Sequence, residues 1–504
     1  MLALLCFSLL LIAVDATVLH IAVPALTAAL EPSAVELLWI IDVYSLVVAP
    51  LLVTFGTLGD KYGKRRFVLA GYVVFGVASL SAAFSTGPLA LILSRALLGV
   101  GGAMIMPATL SIIRQVFTDR RERAIALGVW SAVAAGGAAA GPLVGGVLVE
   151  HFWWGAVFLI NVPLLVVALP LAVRLLPRSH GDRGHRWDVP SAVLSTLGIL
   201  FVAFGLKEAG HGGIAGAGPA FTIMIGGLGL LVWFTARQRR LSRPFLDIGL
   251  FAQRGFAVGV LCVLLSVFAL VGLELMLAQY LQLVLGDSPL RAGARMLPLM
   301  IAAIAGGLCA AHLLQRFGLR ATMTGGLALA GLALAPTLAW GAEQHPVMLG
   351  VCFAGIGFGV EVALLAASDT IMASAPESRA GGAAAIEETA YELGAGLGVA
   401  VLGTVTTIVY APGVAAVPGV APAALGQARE SLASAAHVAR EVGGPAGASL
   451  MEGARTAFVT ALHSTVLVSV ALLAVTAVAA AVLLPRRSST AAGAEAPGHE
   501  RVSA

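Results

Sequence analysis

Long apolar stretches, separated by short polar turns, dominate the chain. A helix needs about 20 apolar residues to cross the hydrocarbon core of a bilayer, and this length predicts fourteen membrane-spanning helices. They lie near residues 2–29, 37–58, 67–85, 88–112, 124–149, 154–176, 189–209, 218–236, 255–285, 290–313, 321–341, 346–374, 380–410 and 455–484. The pattern therefore predicts an all-α integral membrane protein.

The positions of Lys and Arg indicate how the predicted helices are oriented. With fourteen spans, 23 of the 30 Lys and Arg residues fall in one set of alternate loops. Basic loops are retained on the cytoplasmic side of a membrane. We therefore expect both termini to be cytoplasmic.

Composition narrows the function classes. The chain is 59% hydrophobic and only 11% charged, whereas soluble domains carry about 25% charged residues. No basic face is available for a nucleic acid, and the four cysteines lie far apart, which predicts neither a disulfide nor a zinc site. Neither a G-x4-G-K-[ST] phosphate loop nor an H-E-x-x-H motif occurs. We expect no enzymatic activity, no metal and no cofactor.

A weak internal repeat predicts two related halves. The stretch 58–65 matches the stretch 313–320, with Gly63 on Gly318 and Arg65 on Arg320, and transporters are often built from duplicated halves. The predicted units are a six-helix bundle at 1–176, two inserted helices with cytoplasmic linkers at 177–254 and a second six-helix bundle at 255–484. Within the second bundle, the external segment 412–453 is expected to be an amphipathic helical hairpin or a disordered loop. A disordered cytoplasmic tail is expected at 485–504.

Three motifs are candidates for the moving parts of a transporter. The stretch 56–66 combines glycines that permit a tight turn with an acid that can pair with basic neighbours or cap a helix; its candidates are Gly56, Asp60, Gly63, Lys64 and Arg65. The alternative is that the basic residues only set the topology. Arg95 lies in mid-span, which costs about 2.5–3.5 kcal/mol without a partner or water, so we expect it to face the bundle interior. Span five holds a bendable glycine pattern with Gly137, Gly141, Pro142, Gly145 and Gly146.

These motifs resemble those of the major facilitator superfamily, and the span-five pattern is similar to the motif of its antiporter branches. The stretches 15–24 and 387–398 resemble spans one and thirteen of the fourteen-span drug:proton antiporters. Together with 38–44 and 158–163, the set looks most like the QacA- and SmvA-like multidrug exporters. Some of these relatives carry an acid in span ten, whereas 290–313 contains none, so a role for that acid cannot be transferred.

The resemblance implies a major facilitator fold of two six-helix bundles with two inserted helices. It also implies the cytoplasmic (inner) membrane of a bacterium as the location, and export of lipophilic cations in exchange for protons. The expected partners are small cationic drugs, protons and the lipid bilayer, with no nucleic acid. Because one chain holds both halves, we expect it to function as a monomer.

Carboxyl groups inside the predicted spans are the strongest functional signal, because each is costly to place in a membrane. Glu388 and Glu392 are four residues apart and share one helix face, where two like charges disfavour joint ionisation. Such a group can hold a proton until a cation displaces it. We assign proton coupling to Asp15, Glu387, Glu388 and Glu392. The alternative is that some of these acids only pair with Arg95 or with hydroxyl groups.

Lipophilic cations also need aromatic and apolar surface, since a desolvated cation–π contact contributes about 2 kcal/mol. The candidate substrate-binding residues are Asp42, Tyr44, Glu274, Met276, Glu361 and Tyr391. We expect Asp369, near the cytoplasmic end of span twelve, to be a solvated terminal residue. The leading hypothesis is a multidrug proton antiporter that works by alternating access. A dedicated exporter of one endogenous metabolite, antibiotic or lipid precursor on the same scaffold remains the alternative.

Overall fold

The computed structural model describes residues 1–32, 34–177, 188–211, 213–241, 246, 248–287, 289–341, 346–376 and 380–485. Within these residues the regular secondary structure is helical, with no strand. The α-helices are α1 (Leu2–Leu30), α2 (Ala34–Tyr62), α3 (Lys64–Ala83), α4 (Pro88–Val116), α5 (Arg120–His151), α6 (Ala156–Leu159), α7 (Asn161–Leu175), α8 (Val189–His211), α9 (Gly213–Gln238), α10 (Arg254–Gln279), α11 (Pro289–Leu334), α12 (Pro346–Ser374), α13 (Ala380–Gly413), α14 (Pro422–Ala428), α15 (Leu432–Val442) and α16 (Gly444–Leu483). A π turn follows α10 at Tyr280–Val284.

Eleven of the described helices are long and apolar enough to cross a membrane, so the chain is a multi-pass membrane protein. The predicted number of fourteen remains a prediction. The predicted span five corresponds to α5, which is not among the eleven, and the side chains of several of its residues lie outside the described part. Span seven corresponds to α8, whose apolar part, Val189–Gly205, is shorter than the others.

Spans ten and eleven lie together in α11, where the backbone leaves the helical conformation at Gly318 (φ 77°, ψ 169°). Gly63, its partner in the predicted repeat, separates α2 from α3 and also has a positive φ, 101°. L-residues with a side chain rarely adopt this conformation. Both turns therefore need glycine, and the repeat pairs two positions with the same backbone requirement.

The helices pack in two groups with an inserted pair beside them. In the first group α1 packs on α5, and α4 packs on α2 and α3. In the second group α10 packs on α13 and α12, while α11 packs on α12 and α16. The two groups meet where α2 contacts α13 and where α5 contacts α11.

The inserted pair, α8 and α9, covers one of the two seams between the groups. A small apolar cluster joins Ala49 and Val53 of α2, Ile199 of α8, Phe234 of α9 and Ala385 of α13. Hydroxyl groups add a contact between Thr54 and Thr196, 2.9 Å apart. The inserted pair therefore touches both groups at the α2–α13 seam.

Polar contacts join the two groups at the end that carries the turn at Gly63, here called the basic end. Asp60 accepts a hydrogen bond from the backbone N–H of Gly382 in α13 (3.1 Å) and pairs with Lys64 (3.6 Å). Arg114 of α4 donates to the carbonyl of Ala375, just beyond α12. These contacts close the basic end.

The third contact at the basic end corrects the prediction for Asp369. This residue is not solvated: it is 1% exposed, and its carboxylate lies 3.4 Å from the guanidinium of Arg123 in α5. The prediction failed because the partner belongs to the other group, 246 residues away in sequence. Asp369 therefore helps to hold α12 against α5.

The segment 412–453 contains two short helices, α14 and α15, at the other end of α13, here called the hairpin end. The buried side chains of α15 are Leu432, Ala435 and Val438, and α15 packs on α16 and on the π turn. The expected tail lies almost wholly at 486–504, outside the described residues.

We predict that Asp369→Asn increases the population open at the basic end. Breaking a buried ion pair from one side costs about 3–5 kcal/mol, and here that cost falls on the closed conformation. Distances between spin labels on α5 and α12 would measure it, with a longer-distance population in the variant.

The charge-swapped protein, Arg123→Asp with Asp369→Arg, should return the distances toward those of the wild type. Asp188→Asn is the control, because its partner Arg237 (3.1 Å) lies in the inserted pair and not across the two groups. Equal distance distributions in all four proteins would contradict a closing role for Asp369.

Candidate functional site

A cavity of about 900 Å³ lies between the two groups of helices. Its wall includes α1 and α2 on one side, α10, α13 and α16 on the other, and Ala203 of α8 at the seam. Most of the wall is apolar, with Leu19, Ile41, Val271 and Leu275 among its members. The cavity reaches the hairpin end, where Glu430, Ser431 and Leu432 line it.

The charged side chains in the described part of the wall are Arg95, Glu392 and Glu430. Arg95 is 2% exposed, as its predicted interior position requires. Glu392 lies on α13, and Glu430 lies in the turn between α14 and α15. Since Arg95 already has an acidic partner, ionised Glu392 and Glu430 would leave the cavity with negative charge.

The acidic partner of Arg95 is Asp15. Asp15 is 0% exposed, and its carboxylate lies 3.5 Å from the guanidinium of Arg95. The side-chain amide of Asn161 donates to Asp15 (2.8 Å) and to the hydroxyl of Ser79 (3.1 Å). A buried pair of this kind needs additional hydrogen bonds to offset the loss of water, and Asn161 supplies one of them.

The backbone of α2 holds the guanidinium of Arg95 in place. Its Nε donates to the carbonyl of Ile40 (3.1 Å), and its Nη2 donates to that of Ile41 (3.3 Å). The same guanidinium lies 5.1 Å from the ring centroid of Tyr44. Arg95 therefore ties together α1, α2 and α4 around one buried charge.

Tyr44 stands between the two groups of helices. It lines the cavity, and the charges of Asp15, Glu392 and Arg95 all act on its hydroxyl. That hydroxyl is buried and has no hydrogen-bond partner among the described residues.

Tyr391 of α13 lies within electrostatic reach of four acids of the second group. Its electrostatic neighbours are Glu274 of α10, Glu361 of α12, and Glu388 and Glu392 of α13. Glu387 lies next to Glu388, and Ser368 donates a hydrogen bond to it. In this group of acids, Glu392 is the member that lines the cavity, whereas Glu387 and Glu388 are 9% and 6% exposed.

Glu361 makes a contact across the two groups. The hydroxyl of Ser131 in α5 donates to its carboxylate, and Glu361 is 8% exposed. It therefore lies beside the α5–α12 contact and not in the described cavity wall. Asp369 also contacts α5, so α12 carries two acids that face α5.

The remaining candidates in this part of the chain are Met276, Asp42 and Pro142. Met276 lines the cavity, and its sulfur accepts a hydrogen bond from Thr406 (3.0 Å). Asp42 lies in α2, but its side chain is outside the described part, as is that of Pro142 in α5.

The glycines of α5 differ in their surroundings. An added Cβ at Gly141 would collide with Thr17 of α1, and one at Gly137 would press on Leu10 and Ala13. Gly146 has open space around it. Two of the predicted glycines therefore let α5 approach α1 closely, next to Asp15.

Sequence reasoning missed several partners of the predicted residues. Asn161, Ser79 and Ser131 had no predicted role, although each bonds to an acid or its partner. The polar Asn161 within an apolar span is a local signal that could have found it. Nothing local marks Glu430, whose place in the cavity depends on how the hairpin folds back.

Comparison with known proteins identifies the family. The model of the Major Facilitator Superfamily matches residues 5–399. The chain belongs to this superfamily. It is thus a membrane transporter and not an enzyme.

Two relatives and one solved structure show how far the similarity extends. The methyl viologen resistance protein SmvA of Salmonella typhimurium strain LT2 is 42% identical, over 91% of this chain and 92% of that protein. The multidrug efflux pump LfrA of Mycolicibacterium smegmatis is 41% identical, over 93% and 92%. The crystal structure of the human organic anion transporter MFSD10 matches with a TM-score of 0.58 at 14% identity, covering 94% of this chain and 98% of that one.

The two relatives confirm the resemblance to the SmvA-like exporters of the superfamily. The solved structure, at its low identity, supports the fold alone. It confirms the all-helical major facilitator architecture.

We predict that Arg95→Gln lowers the stability of the protein in detergent by about 3–5 kcal/mol, because it leaves Asp15 buried without its cation. Thermal unfolding of the purified protein would measure the loss. The double variant Asp15→Asn with Arg95→Gln should lose less than the sum of the single variants, because neither partner then remains charged.

Arg440→Gln is the matched control, since Arg440 lies on the exposed side of α15. Additive losses for Asp15→Asn and Arg95→Gln would contradict the pairing.

Proposed function

We propose that the chain is a proton-coupled antiporter that exports lipophilic organic cations by alternating access. Quaternary ammonium biocides, cationic dyes and related drugs are the proposed substrates. The scaffold we propose has fourteen spans, with both termini in the cytoplasm of a bacterium and the chain acting as a monomer in the inner membrane. The names of the two similar relatives, a methyl viologen resistance protein and a multidrug efflux pump, support drug export as the general activity.

The proposed specificity for cations rests on the charges in the cavity wall. In the described wall of the cavity, the positive charge of Arg95 is matched by Asp15, and the other charged groups are the acids Glu392 and Glu430. The rest of the wall is largely apolar, with tyrosine rings from Tyr44 and Tyr410. An apolar cation gains from both features, whereas an anion would meet a wall of net negative charge.

The same carboxylates support proton coupling. Glu392 in the cavity and Glu388 one turn away are close enough to affect each other. Two like charges in a low-dielectric site disfavour joint ionisation, so this pair retains a proton that a cation can replace. In the proposed cycle, the cation binds as a proton leaves, and proton return accompanies cation release.

Asp15 has a different proposed part in this cycle. Asp15 does not line the described cavity, but it contacts Arg95, which does. We propose that protonation of Asp15 weakens its hold on Arg95, which changes the packing of α1, α2 and α4. Glu387 is proposed to assist Glu388. Met276 and Tyr44, which line the cavity, are proposed to contact the substrate. Glu274, Glu361 and Tyr391, which are not in the described cavity wall, are proposed, with Asp42, to contribute to substrate recognition.

Alternating access also requires that the basic end can open. The contacts that close it are a few polar ones, made by Asp60, Arg114 and Asp369 with the other group. When this end opens, water can hydrate both partners of each contact and offset part of the cost of separating them. The motif at 56–66 and the glycines of α5 are the proposed moving parts.

The test is proton flux in proteoliposomes that contain a pH dye and hold a pH gradient. Each pH unit supplies about 1.36 kcal/mol of driving force. We predict that ethidium and a quaternary ammonium biocide move protons through the wild-type protein, and that Glu392→Gln abolishes at least 90% of this flux because its cavity charge is lost. Asp15→Asn should lose it as well.

Glu452→Gln, which removes an exposed acid from α16, is the control and should retain full flux. If no cation moves protons through the wild-type protein, the antiporter proposal fails, and a dedicated exporter of another molecule takes its place. If the wild type works and Glu392→Gln works equally well, the assignment of Glu392 fails.

A further inference from the structure

Glu430 occupies a fixed position at the hairpin end of the cavity. The hydroxyl of Tyr410 in α13 donates to the carbonyl of Ala428 (3.0 Å), and Nε of Arg429 donates to that of Val414 (3.1 Å). The backbone N–H of Glu430 donates to the carbonyl of Gln427 (3.1 Å). These bonds anchor the turn that carries Glu430 to the end of α13.

The helix after Glu430 fixes the other side of the turn. Ser431 caps α15 by accepting a hydrogen bond from the backbone N–H of Ser434 (3.0 Å). Leu432, Ala435 and Val438 are buried on the face of α15 that packs toward α16 and the π turn. The turn is therefore held between two packed elements.

The carboxylate of Glu430 is available to a ligand. Its side chain is exposed, and it makes no ion pair or side-chain hydrogen bond with any described residue. The neighbouring Arg429 directs its Nε to the carbonyl of Val414. Glu430 nevertheless lines the cavity that also contains Glu392.

The two acids of the cavity lie at different depths. The helix α13 is continuous from Ala380 to Gly413, and Tyr410, which anchors the turn of Glu430, follows Glu392 by 18 residues. At 1.5 Å per residue, the backbone of Glu392 and that of Tyr410 are roughly 27 Å apart along α13. One small cation cannot contact both carboxylates, so they would act one after the other.

We propose that Glu430 is a second, exit-side cation site that receives an organic cation after it leaves Glu392. This rests on the proposed function, because it takes the transported molecule to be a cation. Between the two acids the wall is lined by uncharged residues such as Val399, Gly403 and Thr406. A negative charge at the mouth of a cavity with low-dielectric walls attracts cations there. A cation that leaves Glu392 therefore gains a second favourable position, which divides its release into two steps.

The first test is equilibrium binding of tetraphenylphosphonium to the purified full-length protein at low ionic strength. The wild type is expected to bind it at two sites, the weaker of which disappears at high salt because exposed charges are screened. Glu430→Gln should keep the tighter site and lose the weaker one, whereas Glu392→Gln should lose the tighter one. Glu441→Gln, an exposed acid in α15 paired with His437 (3.5 Å), is the control and should retain both.

The second test is the rate of tetraphenylphosphonium export by proteoliposomes. Glu430→Gln is expected to lower the maximal rate about two- to fivefold, which corresponds to the free energy of an exposed ion pair. The KM for tetraphenylphosphonium presented at the basic end should not change. Glu430→Asp should restore most of the rate.

Persistence of the weaker site in Glu430→Gln, or its absence from the wild type, would overturn the proposal. A variant that only unfolds at a lower temperature, with wild-type binding and export, would also overturn it, because Glu430 would then serve only to stabilise α15. Absence of any cation binding in the wild type would instead refute the proposed function itself.

Discussion

A charge buried among membrane-spanning helices must have a partner, and the pairing of Asp15 with Arg95 meets this constraint. The pair, with Asn161, Ser79 and the carbonyls of α2, fixes how α1, α2 and α4 meet. It also decides the charge of the cavity. Because Arg95 is matched by Asp15, the acids of α13 and of the hairpin define the electrostatic character that a substrate would meet.

The two ends of the molecule are built differently. At the basic end, ion pairs and hydrogen bonds of Asp60, Arg114 and Asp369 join the two groups of helices. Toward the hairpin end the groups are separated by the cavity. The inserted pair contacts both groups along the α2–α13 seam, so the proposed rocking motion must either rearrange these contacts or carry the pair with one group.

Local sequence patterns predicted those features of the structure that depend on residues close together in the chain. The turn at Gly63, its counterpart at Gly318 and the interior position of Arg95 follow from backbone conformation and from the cost of a buried charge. The family followed from motifs spread along most of the chain. The partners of the acids could not be predicted from local patterns. Asp369 contacts Arg123, and Glu361 contacts Ser131, across more than 200 residues of sequence.

The same limit applies to the cavity wall. A sequence pattern also cannot tell which side of a spaced-charge hairpin faces a cavity. In the sequence, Glu430 is one of several charged residues of the segment 412–453. The folded hairpin places it in the wall of the cavity.

The central claim is that a cation and a proton compete for the carboxylates near Glu392, and proton release on binding tests it most directly. Tetraphenylphosphonium would be added to the purified protein in weakly buffered solution near neutral pH, with a pH indicator present. The account predicts release of about one proton for each cation bound at the tighter site, and none from Glu392→Gln. Tight binding to the wild type without proton release would contradict it.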